Sequence, residues 1–151
     1  MRIAIAADHN GLALKRRLTG WLTARGHEVD DRGAADDAGV MDYPPLCADV
    51  CRQVVGGDAD RGIVIGGSGM GETIACNKIR GVRAGLCHDL FSAEISRGNN
   101  DSNVLVLGAK VVTPDLAEQI TAAWLGTAFK GGRHGVRVDQ IAALERGERL
   151  S

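Results

Sequence analysis

Glu72 and Ser68 are a carboxylate and a hydroxyl beside a run of glycines in the segment from residue 62 to 78, GIVIGGSGMGETIACNK. Three apolar residues favour a strand, GGSGMG follows, and Glu72 opens a predicted helix. Such a turn points several backbone N–H groups at one spot and can hold an anion. Glu72 beside this anion hole suits removal of a proton from a carbon next to a carbonyl, with the amides stabilising the enediolate. Alternatively, Glu72 only complements the helix dipole.

Two nucleotide-binding motifs fit this segment poorly. The spacing from Gly66 to Gly71 matches the start of G-x-x-x-x-G-K-[ST], but Glu72 takes the lysine position and would repel phosphates. The dinucleotide pattern G-x-G-x-x-G, begun at Gly67, needs its last glycine where Glu72 stands. The segment therefore indicates an anion hole rather than a nucleotide site.

The composition is that of one ordinary globular domain. The 151 residues are 44% hydrophobic and 25% charged, and the net charge of −1 gives no reason to expect a nucleic acid or an anionic membrane as partner. No secretory leader or membrane-length apolar run is evident, so we expect a cytoplasmic protein. Cys47 and Cys51, four apart on a predicted helix, are expected in the core rather than in a metal site.

Apolar strands alternate with helices along the chain, which predicts a parallel sheet covered by helices on both faces. The predicted strands are 2–6, 27–31, 63–65, 82–86 and 104–107. The predicted helices include 42–56, 89–97, 113–125 and 136–146, and a polar loop is predicted over 33–41. Ligands bind such sheets beyond the carboxyl ends of the strands. We expect four polar segments to meet at that edge: Asp8-His9, GGSGMGE, Cys87-His88 and Asn99 to Asn103.

Two other groupings leave alternatives open. Asp8 and Lys110 follow the first and fifth strands, as in phosphorylated signalling receivers, but those proteins need an aspartate where this chain has Gly66. Arg133 and Arg137 are four residues apart and would share one face of a helix. They are either a solvated helix start or a phosphate clamp, because guanidinium groups bind phosphate through paired hydrogen bonds.

Five motifs in order resemble the ribose-5-phosphate isomerase type B family, which includes the subunits of galactose-6-phosphate isomerase. They are IAADHNG near the start, DYP at 42–44, the glycine-rich segment, NNDSNVLVLG at 99–108 and GGRHGVRV at 131–138. The resemblance covers nearly the whole chain and implies one Rossmann-like α/β/α domain over 1–151. It also implies an aldose–ketose isomerase that uses an enediolate and neither metal nor cofactor. Such enzymes are homodimers or tetramers with active sites between subunits, and the C-terminal helix would pack on the partner.

By position, the resemblance makes Glu72 the catalytic base, in place of the cysteine that many relatives have where this chain has Gly66. Ser68 matches the hydroxyl that moves protons between the two substrate oxygens, and Cys87 or Asp8 is the next candidate if Glu72 is not the base. The other implied contacts are anion-hole amides, sugar contacts and phosphate contacts. The anion-hole amides would be those of Gly67, Gly69, Met70 and Gly71, and the sugar contacts would be Asp8, Tyr43 and Asn100. The phosphate contacts would be His9, Arg133 and Arg137, the two arginines coming from the partner subunit. Lys110 stands where some relatives have a phosphate-binding arginine, so the positive charge is kept but the paired hydrogen bonds are lost.

Asn99 departs from the family, which usually has a histidine there that opens the sugar ring. Asparagine has no proton to exchange at neutral pH, and His88 and His134 are the candidates to substitute for the histidine. A tetrose 4-phosphate cannot close a furanose, since its ring-forming hydroxyl carries the phosphate. Ribose 5-phosphate, the pair erythrose 4-phosphate and erythrulose 4-phosphate, and hexose 6-phosphates therefore all remain candidate substrates. A non-catalytic sugar-phosphate-binding protein is the alternative class.

Overall fold

Five strands and six helices alternate in the computed structural model, which describes residues 1–33 and 39–151. The strands are β1 (Arg2–Ala7), β2 (Glu28–Asp31), β3 (Arg61–Gly66), β4 (Ala84–Leu86) and β5 (Val104–Gly108). The helices are α1 (Leu12–Thr23), α2 (Tyr43–Gly56), α3 (Met70–Cys76), α4 (Leu90–Gly98), α5 (Pro114–Gly126) and α6 (Arg133–Glu145). Part of the polar loop predicted over 33–41 lies outside the described residues.

All neighbouring strands of the sheet are parallel, in the order β2-β1-β3-β5-β4. Successive side chains of a strand point to opposite faces, so Ile3 and Ile5 of β1 enter one core and Ala4 and Ala6 enter the other. The first core is completed by α1, α4 and α5, and the second by α2 and α3. These three layers confirm the predicted α/β/α fold with a five-stranded parallel sheet.

The predicted element boundaries are close to the observed ones, with three larger differences. β3 begins at Arg61 rather than at 63, β4 begins at Ala84 rather than at 82, and α6 begins at Arg133 rather than at 136. Gly132, with φ +55°, immediately precedes α6, so the helix includes Arg133 and Arg137 in its first two turns. Within the two described ranges, no helix is both long and apolar enough to cross a membrane.

The segment from Asn99 to Asn103 lies at the amino edge of the sheet, and our prediction of the carboxyl edge is wrong. The segment leaves α4 and leads into β5, so it meets the strand at its first residue. The backbone N–H of Asn103 donates to the carbonyl of Arg83, just before β4, and the Asn103 carbonyl accepts from the N–H of Gly62, near the start of β3. β3 has six residues and therefore spans about 17 Å. This distance separates the segment from the GGSGMGE loop at the other end of β3.

α6 lies at the amino edge and is tied to the rest of the chain mainly near its two ends. Just before the helix, the backbone N–H of Lys130 donates to the Gly98 carbonyl, and near its end Glu145 accepts from the Gly81 N–H. None of its thirteen residues is buried. Val136, Ile141 and Leu144 are 59%, 47% and 56% exposed, respectively. The helix therefore presents an uncovered apolar surface.

Candidate active site

Glu72 lies in the first turn of α3, and its side chain reaches back over the end of β3. The residue is only 4% exposed. Its carboxylate lies directly against the backbone of Gly66, because a Cβ added to Gly66 would come within 1.9 Å of Oε1 and 2.1 Å of Cδ. Among residues 1–33 and 39–151, no group donates a hydrogen bond to this carboxylate. Neither oxygen of Glu72 is therefore engaged by a donor from the described residues.

The turn between β3 and α3 requires glycine for steric reasons. Gly69 has φ +79°, and a Cβ there would lie 2.5 Å from Leu86. A Cβ on Gly71 would lie 2.4 Å from the hydroxyl of Tyr43, so this tyrosine, at the start of α2, covers the first turn of α3. These two glycines therefore allow Leu86 and Tyr43 to pack directly against the backbone of the turn.

Ser68 lies at the tip of the same turn and is exposed. Its hydroxyl oxygen accepts a hydrogen bond of 3.2 Å from the backbone N–H of Met70. The Met70 amide, one of the four expected in the anion hole, therefore donates to Ser68. The other three, those of Gly67, Gly69 and Gly71, belong to the same glycine-rich segment. The Ser68 hydroxyl is therefore hydrogen-bonded to the backbone that would form the anion hole.

Asp8 and His9 reach the same edge of the sheet from β1. Asp8 is 6% exposed, and its backbone N–H donates to the Ile65 carbonyl at 3.2 Å. The Asp8 carboxylate accepts from the backbone N–H and the side-chain Nδ2 of Asn10 at 2.9 and 3.0 Å. His9 is exposed, and its Nδ1 accepts from the Met41 N–H at 3.4 Å. The Asp8 carboxylate is therefore committed to local bonds, unlike that of Glu72.

Lys110 joins this edge from the end of β5. Its backbone N–H donates to the Gly67 carbonyl at 3.0 Å, and its side chain is exposed. The structure thus brings ten of the fourteen predicted site residues to one edge. We call them the carboxyl-edge cluster: Asp8, His9, Tyr43, Gly67, Ser68, Gly69, Met70, Gly71, Glu72 and Lys110.

The other four predicted residues lie at the opposite edge, together with a lysine that the sequence did not single out. We call them the amino-edge cluster: Asn99, Asn100, Lys130, Arg133 and Arg137. The Nζ of Lys130 donates to Oδ1 of Asn99 at 3.0 Å. The side chains of both arginines are exposed on α6. A single chain therefore does not bring its arginines to Glu72.

The cysteines are all free thiols, and none belongs to either cluster. Cys87 is fully buried, and burial raises the pKa of its thiol to about 11, so it is a poor base at neutral pH. Cys47, Cys51 and Cys76 are buried in the core beside α2 and α3, which confirms the prediction for the first two. In the described part of the chain, no group of three or more His, Cys, Asp or Glu residues has the geometry of a metal site.

A cavity of about 670 Å³ lies apart from Glu72, along the free edge of β4. Leu86, Phe91 and Ile141 line it, so it lies between β4, α4 and α6. Phe91 is 71% exposed although it lines this cavity. The cavity is therefore an open apolar groove beside α6 rather than part of the carboxyl-edge cluster.

A family model described as Ribose/Galactose Isomerase matches residues 3–141. The chain belongs to the ribose/galactose isomerase family. It is 44% identical to ribose-5-phosphate isomerase B of Escherichia coli over 145 residues, which cover 96% of this chain and 97% of that protein. It is 36% identical to D-erythrulose-4-phosphate isomerase of Pectobacterium atrosepticum, over 99% of this chain and 98% of that protein.

A solved structure of ribose-5-phosphate isomerase B from Clostridium thermocellum has the same fold. Its TM-score is 0.94 at 44% identity, with 97% of this chain and 99% of that chain covered. These matches confirm the family and the class of chemistry that the sequence motifs predicted. The chain is an isomerase of phosphorylated sugars.

Proposed function

We propose that this chain interconverts an aldose phosphate and a ketose phosphate, with Glu72 as the base that moves the proton between C1 and C2. The observation that carries the assignment is the contrast between two buried carboxylates. Glu72 has no hydrogen-bond donor among the described residues, whereas Asp8 accepts two hydrogen bonds from Asn10. An unengaged carboxylate next to a glycine-rich turn suits proton abstraction beside a carbonyl.

In the proposed reaction, the Glu72 carboxylate takes the proton from C2 of the aldose and returns it to C1. The substrate oxygen that becomes negative accepts hydrogen bonds from backbone N–H groups of the turn around Gly69. Each of these hydrogen bonds contributes about 3 kcal/mol of transition-state stabilisation. The hydroxyl of Ser68 moves a proton from O2 to O1. Every atom of the substrate is kept, and the chemistry needs no electron acceptor and no cofactor.

We further propose that the complete active site lies between two copies of the chain. The carboxyl-edge and amino-edge clusters are separated by the length of β3, so a second copy is needed to place Arg133 and Arg137 beside Glu72. α6, which buries no residue in its own chain, would then be covered by the partner. A two-fold axis would complete two identical sites at once.

Ribose 5-phosphate is the first candidate substrate, and a specific residue favours a tetrose 4-phosphate as the second. Asn99 carries an amide where the family resemblance implies a ring-opening histidine. A relative matched over nearly its whole length is named D-erythrulose-4-phosphate isomerase. Parallel isomerase assays with ribose 5-phosphate, erythrose 4-phosphate and a hexose 6-phosphate distinguish these substrates.

Glu72→Gln tests the assignment of the base, since it keeps the size of the side chain and removes its basicity. Exchange of solvent deuterium into the substrate should fall by a hundredfold to ten-thousandfold. Glu94→Gln, on the exposed surface of α4, is the matched control and should keep full activity. Retained exchange in Glu72→Gln would assign the proton transfer to another group. An unmodified protein that binds the sugar without exchange would be a sugar-phosphate-binding protein.

We infer a cytoplasmic location as well. All four cysteines are free, which fits a reducing compartment, and phosphorylated sugars do not cross membranes unaided. Cell fractionation with an antibody against the native chain tests this inference.

A further inference from the structure

We propose that Lys130 is a specificity-determining residue. It binds the amide oxygen of Asn99, so that this pair of residues presents hydrogen-bond donors and no base to the substrate. The enzyme would then act on the open-chain form of its sugar phosphate and would not catalyse ring opening. This inference rests on the proposed function and specifies which form of the substrate that function uses.

Lys130 is fixed at both its backbone and its side chain. Its backbone N–H donates to the Gly98 carbonyl at 2.9 Å. Its Nζ donates to Oδ1 of Asn99, the residue after Gly98, at 3.0 Å. Between these bonds the lysine stem packs over Gly98, where an added Cβ would lie 3.2 Å from Cε. The lysine therefore determines which atom of the Asn99 amide faces outwards.

The backbone that follows Asn99 is fixed by bonds of its own. A movement of this loop therefore does not reorient the Asn99 side chain. Asp101 has φ +46°, which is uncommon for a residue with a side chain. Its carboxylate accepts from Arg97 at 2.8 Å and from Arg83 at 3.0 Å. Arg97 is only 5% exposed and also donates to the Ser102 carbonyl at 2.6 Å. This ion-pair network fixes the loop through contacts that do not involve Lys130.

Ring opening needs a group that accepts the proton of the anomeric hydroxyl. A lysine ammonium has three donors and no acceptor, and the oxygen of Asn99 is already bound to it. What remains is the Nδ2 group of Asn99 and the other N–H bonds of Lys130, all donors. Carbonyl and phosphate oxygens accept such bonds. The pair therefore suits an open-chain sugar phosphate and lacks the base that a furanose needs.

Enzyme titration with ribose 5-phosphate tests the proposal directly. Without catalysed opening, the rate should reach a plateau at the rate of spontaneous ring opening as enzyme is added. Erythrose 4-phosphate has no furanose form and should be consumed in proportion to enzyme. A ribose 5-phosphate rate that rises in proportion to enzyme beyond spontaneous opening would overturn the proposal. If His134→Asn then abolished that rise, ring opening would be assigned to His134.

Deuterium exchange into ribulose 5-phosphate separates this proposal from the proposed function. Ribulose 5-phosphate is always open, since its ring-forming hydroxyl carries the phosphate. Exchange into this ketose together with a plateau on ribose 5-phosphate supports both proposals. Absence of exchange in the native enzyme would instead contradict the role of Glu72.

Variants of Lys130 test its part in the selection. Lys130→Met keeps the stem and removes the ammonium, and kcat/KM on erythrose 4-phosphate should fall about tenfold, as for loss of a charged hydrogen bond. Lys130→Arg should recover most of this loss, while Lys78→Met, another exposed lysine, should have no effect. Equal losses in Lys130→Arg and Lys130→Met would contradict a donor role.

Asn99→His in two backgrounds gives the sharpest comparison. The Lys130 ammonium, which donates to Oδ1 of Asn99 in the native chain, would donate to the accepting nitrogen of a new imidazole and compete for it with the anomeric hydroxyl. The plateau on ribose 5-phosphate should therefore rise much more in Asn99→His with Lys130→Met than in Asn99→His alone. Equal plateaus in the two backgrounds would show that Lys130 does not control this position.

Discussion

The carboxylate of Glu72 occupies the space that a side chain at position 66 would need, since a Cβ on Gly66 would lie 1.9 Å from Oε1. The family resemblance implies that many relatives carry a cysteine base at this position. A cysteine at 66 and the present conformation of Glu72 are therefore mutually exclusive. Under the proposed function, the two residue types would be alternative ways to place a base at one point in the site.

Gly66→Ala should displace the Glu72 carboxylate and lower kcat by at least about a hundredfold, as loss of a positioned base does. Deuterium exchange and steady-state assays measure the effect. Gly20→Ala is the matched control, since a Cβ on Gly20 of α1 meets nothing within 4 Å. That variant should keep full activity and raise the free energy of unfolding by about 0.5–1 kcal/mol. Full activity in Gly66→Ala would contradict the role of Glu72.

The double variant Gly66→Cys with Glu72→Ala should be more active than either single variant. Glu72→Ala has no base, and in Gly66→Cys the new side chain collides with the carboxylate. In the double variant the cysteine at position 66 has room, because the carboxylate with which it would collide is absent. A double variant no more active than the weaker single variant would contradict this exchange of bases.

Cys87→Ser should leave the pH–rate profile unchanged between about pH 6 and 9, because burial raises the pKa of this thiol to about 11 and keeps it protonated there. The stability of the protein should depend on this group at higher pH. A thiol whose pKa is raised in the folded state makes its full contribution to the free energy of unfolding below its unfolded pKa of 9.0. That contribution is lost as the pH rises towards 11. Urea denaturation should therefore show a steeper decline above pH 9 in the native protein than in Cys87→Ser.

Asp101→Ala should lower the free energy of unfolding by about 2–3 kcal/mol, because it leaves the buried Arg97 without its carboxylate and places alanine at positive φ. Asp101→Gly loses the same ion pairs without the backbone strain and should be about 1 kcal/mol less destabilised. Chemical denaturation of both variants measures the difference. Equal stabilities would show that the left-handed conformation costs nothing here.

Mixed dimers test the sharing of the active site. Glu72→Gln and Arg137→Ala should each be inactive alone, yet half of the dimers in an equal, reassorted mixture would contain one intact site. About a quarter of the native activity should then return, as two-fold symmetry requires. Mixing each variant with itself is the control. A mixture that stays inactive would mean that Glu72 and Arg137 do not act across two chains.

The sequence predicted the three layers, the order of the elements and the grouping around Glu72, because all three depend on local periodicity and on short spacings. Asn99 was assigned to the wrong edge because it is close to β5 in sequence, while only the direction of the strand decides which edge it meets. The bond between Asn99 and Lys130 joins residues 31 apart and depends on where α5 ends. The contact of Glu72 with Gly66 depends on a side-chain rotamer, which no spacing specifies.

α6 also determines how the protein should respond to dilution. A helix that buries none of its side chains contributes little to the folding of a lone chain, so in the proposed assembly the sheet and its five packed helices would persist after the two copies separate. Activity should then disappear at low protein concentration while the circular dichroism spectrum hardly changes. Specific activity in a very dilute assay would report the fraction of assembled copies rather than the quality of the preparation.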